Sequence, residues 1–203
     1  MNRFLDLTGM QIIDLSYKIS SVDTHGKLFI PKKIQLSDGT LANEVTLSSH
    51  CGTHTEFPDH YYKDGRTAAD YSIERFITRC LLLDCEPGRI TLHEATRQLD
   101  VMRPGDSVLI RNIRQYEKTI VTEELAGWLA GRGISTLGID FNATLGENIS
   151  ECRRVHELIL EAGGLLLEGL DNLNSLVKKP FVLVALPWKA ELDSTWTRAL
   201  AII

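Results

Sequence analysis

The chain has 203 residues, of which 43% are hydrophobic and 24% charged, and its formal net charge at pH 7 is −5. This composition is typical of a globular protein with a core, and we expect residues 1–203 to form a single domain. No cluster of lysine and arginine indicates a nucleic-acid partner, and no apolar run approaches the roughly 20 residues that span a membrane. The N-terminal segment is too polar for a signal peptide and the four cysteines form no CxxC pair, so we expect a cytoplasmic protein with free thiols.

The predicted elements of the first half are mainly strands. In chain order they are a strand in MQIIDLSYKI, a loop in SSVDTHGKLF, a hairpin over residues 32–50, a buried strand over residues 79–85, a short helix in ITLHEATRQLD, and a strand after the turn of MRPGDSVLIRN. The hairpin is predicted because two half-apolar runs flank Asp38 and Gly39, a dipeptide typical of tight turns.

The second half alternates helices with buried strands. In chain order these are a helix in TEELAGWLAGRG, a strand in ISTLGIDF, a helix in SECRRVHELILEAGG, a strand in LLLEGLDNL, and two last strands in FVLVALPWKA and TRALAII. Ser150 is the expected N-cap of the second helix. Because strands outnumber helices, we expect an α+β fold in which a mixed β-sheet carries helices on its outer side.

Residues 48–65, SSHCGTHTEFPDHYYKDG, hold three of the six histidines together with three acidic residues. A continuous helix is excluded, because Gly52, Pro58 and two β-branched threonines all disfavour it. These residues must therefore form a bent, extended segment or a loop.

An extended segment would place polar side chains on one face, since successive residues of a strand point to opposite sides. The residues on that face would be His50, His54, Glu56 and His60. A straight strand would separate His50 and His54 by about 13 Å, so a bend at Gly52 is required for them to share one ion. Imidazoles with a carboxylate suit Zn²⁺, Mn²⁺ or Fe²⁺ better than calcium or magnesium. The alternative is a surface loop that is merely polar.

These residues resemble a known family. HCGTHTEFPDH is similar to the signature HxGTHxDxPxH of the metal-dependent cyclase/hydrolase family that includes bacterial kynurenine formamidase and isatin hydrolase, except that Glu56 replaces the family's aspartate. VHELILEAGGLLLEGLDNL resembles its second motif. LPWKAELDSTWTRALAI resembles its closing segment, in which Asp193 and Arg198 are expected to flank a turn.

The resemblance implies a fold, a site and a cofactor. The fold would be a barrel-like core of the swivelling β/β/α type with flanking helices. The implied first metal ligands are His50, His54 and Glu56, and a second ion would be bound by Glu56, His156 and Glu168. His60 would transfer protons, and His25 would contact the substrate. The cofactor would be one or two divalent ions, zinc or alternatively manganese, and the protein would form a homodimer or homotetramer.

The second motif also indicates a ligand role from its own residues. Glu168 follows three leucines, and an unpaired buried carboxylate costs several kcal/mol unless a cation compensates it. The alternatives are a glutamate that points into water at the end of a strand and, for His156, a helix-flank histidine bonded to a backbone carbonyl. His93, in the first predicted helix, is expected on the surface.

The predicted function is hydrolysis of a small amide, formamide, lactone or cyclic imide by a metal-activated water, with His60 as general acid and base. The alternative is a non-catalytic relative that binds metal or a small ligand. It is suggested by Glu56 and by Ala143 and Gly146, which stand where the family has polar residues. A true arylformamidase of tryptophan degradation is disfavoured, because SSVDTHGKLFIP lacks the tryptophan expected there.

Overall fold

A computed structural model describes residues 9–20, 27–114, 117–177 and 180–203, so that His25 lies outside the described residues. In them the strands are β1 (Ile12–Asp14), β2 (Phe29–Gln35), β3 (Leu41–Leu47), β4 (His54–Glu56), β5 (Ile77–Cys85), β6 (Gly88–Arg89), β7 (Ser107–Asn112), β8 (Thr119–Val121), β9 (Thr136–Asp140), β10 (Ala143–Leu145), β11 (Leu165–Leu170), β12 (Phe181–Pro187) and β13 (Ser194–Ile202). The helices are α1 (Leu92–Gln98), α2 (Glu123–Gly131) and α3 (Ile149–Glu161). Within the described ranges, no helix has both the length and the apolar character that crossing a membrane requires.

Seven strands close into a ring. Their order is β13-β12-β5-β7-β9-β11-β4, and β4 pairs again with β13. Within the ring, β5, β7, β9 and β11 run parallel to one another. The remaining strands, β4, β12 and β13, pair antiparallel with their neighbours. The prediction of an α+β fold with a mixed, barrel-like sheet and flanking helices is therefore confirmed.

Two hydrophobic clusters lie on the two faces of this ring. Leu81 and Leu83 of β5 pack with α2 and α3 on the outer face, where Leu125 and Val155 are fully buried. Leu82, between them on the same strand, packs on the opposite face with side chains of β7, β11 and β12. Because both faces are covered, the middle of β5, residues 80–83, is continuously apolar rather than alternating. Each such leucine contributes about 1.5–3 kcal/mol by its burial.

The hairpin of β2 and β3 lies outside the ring and matches its prediction. Gly39 in its turn has φ +87°, a conformation that favours glycine. None of the side chains of the two strands is fully buried, and Ile30, Leu41 and Val45 are exposed.

The structure corrects two sequence expectations and contains one sheet that was not predicted. α3 begins at Ile149, and its N-cap is Asn148 rather than Ser150, because the Asn148 side chain accepts the backbone N–H of Glu151. Arg198 does not flank a turn but lies within β13, where it pairs with Asp14. The three-stranded parallel sheet of β10, β8 and β6 was not predicted, because strands of two or three residues are too short to alternate.

Candidate metal centre

The bend predicted at Gly52 exists and determines where the first motif points. Gly52 has φ +68°, and a Cβ at this position would lie 2.5 Å from the side chain of Ile19. The chain then forms β4, in which His54 and Glu56 share a face, and a short 3-10 helix over Pro58–His60 turns it away. Glycine and proline thus bring residues on both sides of β4 towards the same place.

The second motif approaches β4 from a neighbouring strand and from a helix. β11 pairs antiparallel with β4 so that Glu168 lies opposite His54. α3 packs beside β11 and buries His156, of which 5% is exposed. His156 Nδ1 donates a hydrogen bond to the carbonyl of Cys152 at 2.7 Å, the contact expected of a helix-flank histidine. That contact uses only one ring nitrogen and leaves Nε2 facing β4.

The carboxylate of Glu56 is the centre on which the other groups converge. Its Oε1 lies 2.9 Å from His50 Nδ1 and 3.6 Å from His54 Nε2, and its Oε2 lies 3.2 Å from His156 Nε2. Glu168 completes the cluster at 3.7 Å from His156 Nε2 and 4.0 Å from His54 Nε2. The five residues expected to bind metal therefore lie together, although they come from three elements and a loop.

These residues form two ligand sets that share Glu56. One set is His50, His54 and Glu56, and the other is Glu56, His156 and Glu168; in each, one possible ligand atom per residue lies within 4.8 Å of the others. The glutamate that replaces the family's aspartate presents Oε1 to the first set and Oε2 to the second. Its extra methylene is therefore compatible with a bridging position.

Two buried polar atoms show that these residues fit a cation. His54 Nε2 and Glu56 Oε2 are inaccessible to solvent and form no hydrogen bond in the described structure. His54 Nδ1 is 2.9 Å from the carbonyl oxygen of Gly52, and since a carbonyl only accepts, Nδ1 carries the proton and Nε2 has a lone pair. A lone pair directed at a carboxylate costs free energy unless a positive charge lies between them. A divalent ion with nitrogen and oxygen ligands satisfies both atoms.

The pKa shifts of Glu56 and His156 also indicate that this cluster requires a positive charge. Burial raises the pKa of the Glu56 carboxyl, but the imidazoles of His156, His50 and His54 outweigh it and hold this pKa well below the usual range. For His156, burial lowers the pKa, but the neighbouring Cys152 and the carboxylates of Glu168 and Glu56 raise it strongly overall. The buried carboxylate thus requires positive charge, which a proton or a metal ion can supply.

A cavity of about 810 Å³ opens onto this cluster. Its walls include apolar side chains of Ile139, Leu145 and Ile149, the Tyr61 ring, and the cationic side chains of Lys27 and Arg153. Ala143 and Gly146 also line it, so their lack of polar side chains does affect the pocket. Asp140 lines a separate cavity with Phe141 and Asp171.

His60 lies beside the cluster and outside both ligand sets. Its Nε2 is 4.0 Å from Glu56 Oε1, and its Nδ1 is 3.0 Å from Asp193 Oδ2. Asp193 also contacts His50 Nε2 at 2.9 Å, and the three residues form a further close group. The sequence indicated Asp193 only through the closing segment and assigned it no role. His93 is exposed on α1, as expected.

The fold and the ligand atoms together define a mixed β-barrel protein with a candidate site for divalent metal. The family model described as "Putative cyclase" matches residues 13–144, well over half of the chain. The protein therefore belongs to this cyclase family.

Several known proteins are similar along most of the chain. A kynurenine formamidase of Erythrobacter litoralis (strain HTCC2594) is 28% identical over 166 residues, which cover 76% of this chain and 74% of that protein. The solved structure of a potential metal-dependent hydrolase with cyclase activity matches with a TM-score of 0.77 and 26% identity, covering 96% of this chain and 98% of the other. Isatin hydrolase A from Labrenzia aggregata matches with a TM-score of 0.79 over 96% of this chain and 94% of its own, and at 20% identity this likeness concerns the fold.

Proposed function

We propose that this protein is a metal-dependent hydrolase that cleaves the carbon–nitrogen bond of a small amide, formamide or cyclic imide, or the ester bond of a lactone. The observation that carries the proposal is the convergence of three imidazoles and two carboxylates at the floor of one cavity, with two buried ligand atoms lacking hydrogen bonds. Family membership and the similarity to a kynurenine formamidase support the same class of reaction.

The proposed ligands divide between two cations. His50, His54 and Glu56 would hold one, and Glu56, His156 and Glu168 the other. Zinc suits this mixture of imidazole and carboxylate, and manganese is the alternative. When bound, a divalent cation polarises a carbonyl oxygen and lowers the pKa of water from 15.7 towards about 7.

His60 is the proposed proton carrier. Its Nε2 faces the cluster and lines the cavity without belonging to either ligand set. It would accept a proton from the attacking water as the oxygen bonds to the carbonyl carbon, and would return that proton to the leaving nitrogen as the C–N bond breaks. The products would be a carboxylic acid and an amine from an amide or formamide, and a carboxylic acid joined to an amide in one molecule from a cyclic imide. A lactone would give a hydroxy acid, with the proton returned to the leaving oxygen.

The cavity restricts the substrate to a small molecule. A volume of about 810 Å³ lies in the usual range for small-ligand pockets. Ile139, Leu145 and Ile149 would contact the hydrocarbon part of the substrate and limit the access of bulk water. Lys27 lines the same cavity and would contact an anionic group of the substrate, whereas Arg153 is already paired with Glu157 at 2.8 Å.

Metal content and turnover, measured on the same sample, test the proposal. Protein loaded with zinc and dialysed should retain one or two equivalents, and it should hydrolyse at least one member of a panel of formyl-aryl amides, simple lactones and cyclic imides. Chelation should abolish both, and manganese or zinc should restore them. Glu168→Ala should remove one equivalent, whereas the exposed control His93→Ala should remove none.

The outcomes separate the alternatives. Stoichiometric metal without turnover on the whole panel would favour a non-catalytic metal-binding relative. Protein that retains neither zinc nor manganese would overturn the proposal.

We also propose that residues 1–203 form one cytoplasmic domain that assembles as a homodimer or homotetramer. The four free cysteines support a reducing compartment. The hairpin of β2 and β3 supports assembly, because two strands without a buried face are marginally stable alone. Light scattering on the purified protein measures the number of chains, and a monomeric mass would contradict assembly.

A further inference from the structure

We propose that Asp193 is a positioning residue that fixes the tautomers of both His50 and His60. The inference rests on the proposed function, in which His50 is a cation ligand and His60 the proton carrier. It adds a role for Asp193, which belongs to neither of the two ligand sets centred on Glu56.

One oxygen of Asp193 contacts both imidazoles. Asp193 Oδ2 lies 2.9 Å from His50 Nε2 and 3.0 Å from His60 Nδ1, and Ser49 Oγ donates to Oδ1 at 3.2 Å. An ionised carboxylate only accepts hydrogen bonds, so each contacting ring nitrogen must be the one that carries the proton. The other nitrogen of each neutral ring then has a free lone pair.

Those free lone pairs face the cluster. His50 Nδ1 is 2.9 Å from Glu56 Oε1, at the position of a cation ligand. His60 Nε2 is 4.0 Å from the same oxygen, too far for a hydrogen bond, so its lone pair is free to accept a proton. By holding the proton on the outer nitrogen of each ring, Asp193 leaves a lone pair on the inner one. In His50 that lone pair would bind the cation, and in His60 it would accept a proton.

The remaining two imidazoles follow the same pattern through the backbone. His54 donates its outer N–H to the carbonyl of Gly52, and His156 donates its own to the carbonyl of Cys152. In all four rings an acceptor holds the outer nitrogen and the inner nitrogen faces Glu56. Outer acceptors of this kind orient metal-bound histidines in other proteins.

The position of Asp193 is fixed by the strand that carries Glu56. The backbone carbonyl of Asp193 accepts the N–H of Phe57 at 2.9 Å, and the next residue, Ser194, pairs with Glu56 in the β4–β13 ladder. The Ser194 hydroxyl also donates to the carbonyl of Ser49 at 3.2 Å. The carboxylate is therefore held in register with both histidines.

Asp193→Ala tests this role because it removes the single oxygen that both rings contact. Without that acceptor, neither contacting ring nitrogen must carry the proton, so each neutral imidazole can adopt either tautomer. Where a carboxylate fixes the tautomer of a catalytic histidine, loss of that function reduces kcat by about 10⁴-fold. We expect kcat to fall by about 10²-fold or more, with KM changed less than about threefold.

The direct measurement is imidazole ¹⁵N NMR on zinc-loaded protein. In the wild type, the proton should lie on Nδ1 of His60 and on Nε2 of His50. In Asp193→Ala the His60 signal should move to the Nε2–H tautomer or to a mixture of the two. His93→Ala, at an exposed position on α1, should leave both tautomers and kcat nearly unchanged.

Each result decides one claim. A wild-type His60 protonated on Nε2 would overturn the positioning role, and this measurement requires no variant to fold. Loss of a zinc equivalent in Asp193→Ala would make Asp193 a ligand and would also overturn it. Inactivity of the wild type on every substrate would contradict the proposed hydrolase, whereas the tautomers test Asp193 independently of turnover.

Discussion

Glu56 is the residue on which the chemistry of this protein depends. Only 3% of the residue is exposed, and its carboxylate is bordered by ring nitrogens on both sides, an arrangement that only a proton or a cation makes favourable. Aspartate at this position would be one methylene shorter and would have to draw β4 or the histidines closer. The glutamate therefore belongs to the geometry of this particular site.

His60 is predicted to be needed for turnover and not for metal binding. His60→Ala should retain the metal, because the ring lies outside both ligand sets, and should lose about 10²-fold or more in kcat by the loss of proton transfer. His93→Ala on α1 is the matched control and should keep kcat within twofold. Full activity of metal-replete His60→Ala would remove His60 from the mechanism.

The sequence predicted the convergence of His50, His54 and Glu56, but it did not predict that Asp193 contacts the histidines. The spacing of His50, His54 and Glu56, with Gly52 between them, requires a bend that the structure contains. Asp193 is far from this motif in the chain, and its contacts with the histidines exist only because β13 pairs with β4. No local pattern reports such a contact.

At the scale of elements, α3 shows why a boundary is harder to predict than a helix. Both Asn148 and Ser150 are good N-cap residues, and only the backbone of the preceding loop decides between them. Asn148 is extended, at φ −139° and ψ 170°, and caps the helix. The short strands β6, β8 and β10 were not predicted for a related reason. They are defined by backbone pairing with neighbouring segments and not by a pattern of side chains.

Asn148→Ala should destabilise the protein by about 1 kcal/mol, through the loss of the side-chain acceptor for the Glu151 N–H. Ser150→Ala, two residues further along the exposed face, should change the free energy of unfolding by less than about 0.5 kcal/mol. Urea unfolding of both variants gives the comparison. An equal loss in the two would show that the cap is not at Asn148.

Gly169→Ala should destabilise β11 and disturb the metal cluster. Gly169 has φ +67°, and a Cβ would lie 2.3 Å from the carbonyl oxygen of Gly52. We expect a loss of more than about 2 kcal/mol, since strain and a backbone clash combine. Gly163→Ala is the matched control, because Gly163 has φ +81° but no atom within 4 Å of the added Cβ. It should cost about 1 kcal/mol, and equal losses in urea unfolding would exclude the clash as the cause.

At the scale of the whole molecule, an ion pair that joins β6 to α3 makes stability depend on pH. Arg89 contacts both carboxylate oxygens of Glu151, at 2.6 and 3.0 Å, and chiefly through this hydrogen bonding lowers the Glu151 pKa to about 2. A carboxyl whose pKa is lower in the folded state stabilises fully above its ordinary pKa near 4.5, and this contribution is lost as the pH falls towards 2.

The variant Glu151→Gln measures this contribution. The difference in free energy of unfolding between wild type and variant should be largest at pH 7 and should shrink between about pH 5 and pH 2. Urea unfolding across this range provides the test. A difference that stays constant from pH 7 to pH 3 would contradict the assignment.

The order and number of the predicted strands and helices indicated the fold class, whereas the barrel-like core was implied only by the family resemblance. Closure depends on three residues, His54–Glu56, which pair with Leu166–Glu168 on one side and with Ser194–Trp196 on the other. Such pairings between distant residues follow from the packing of the whole chain and not from any segment of it.

The strand that closes the barrel is also the strand that carries His54 and Glu56. Its neighbours in space are translated long after it, and the last of them belongs to the final strand of the chain. A nascent polypeptide that has emerged only as far as β12 would lack β13, which completes the barrel. It would also lack the carboxylate of Asp193, which contacts His50 and His60. Closure and catalysis therefore both require Asp193 and β13, and a chain truncated before residue 193 should neither close nor catalyse.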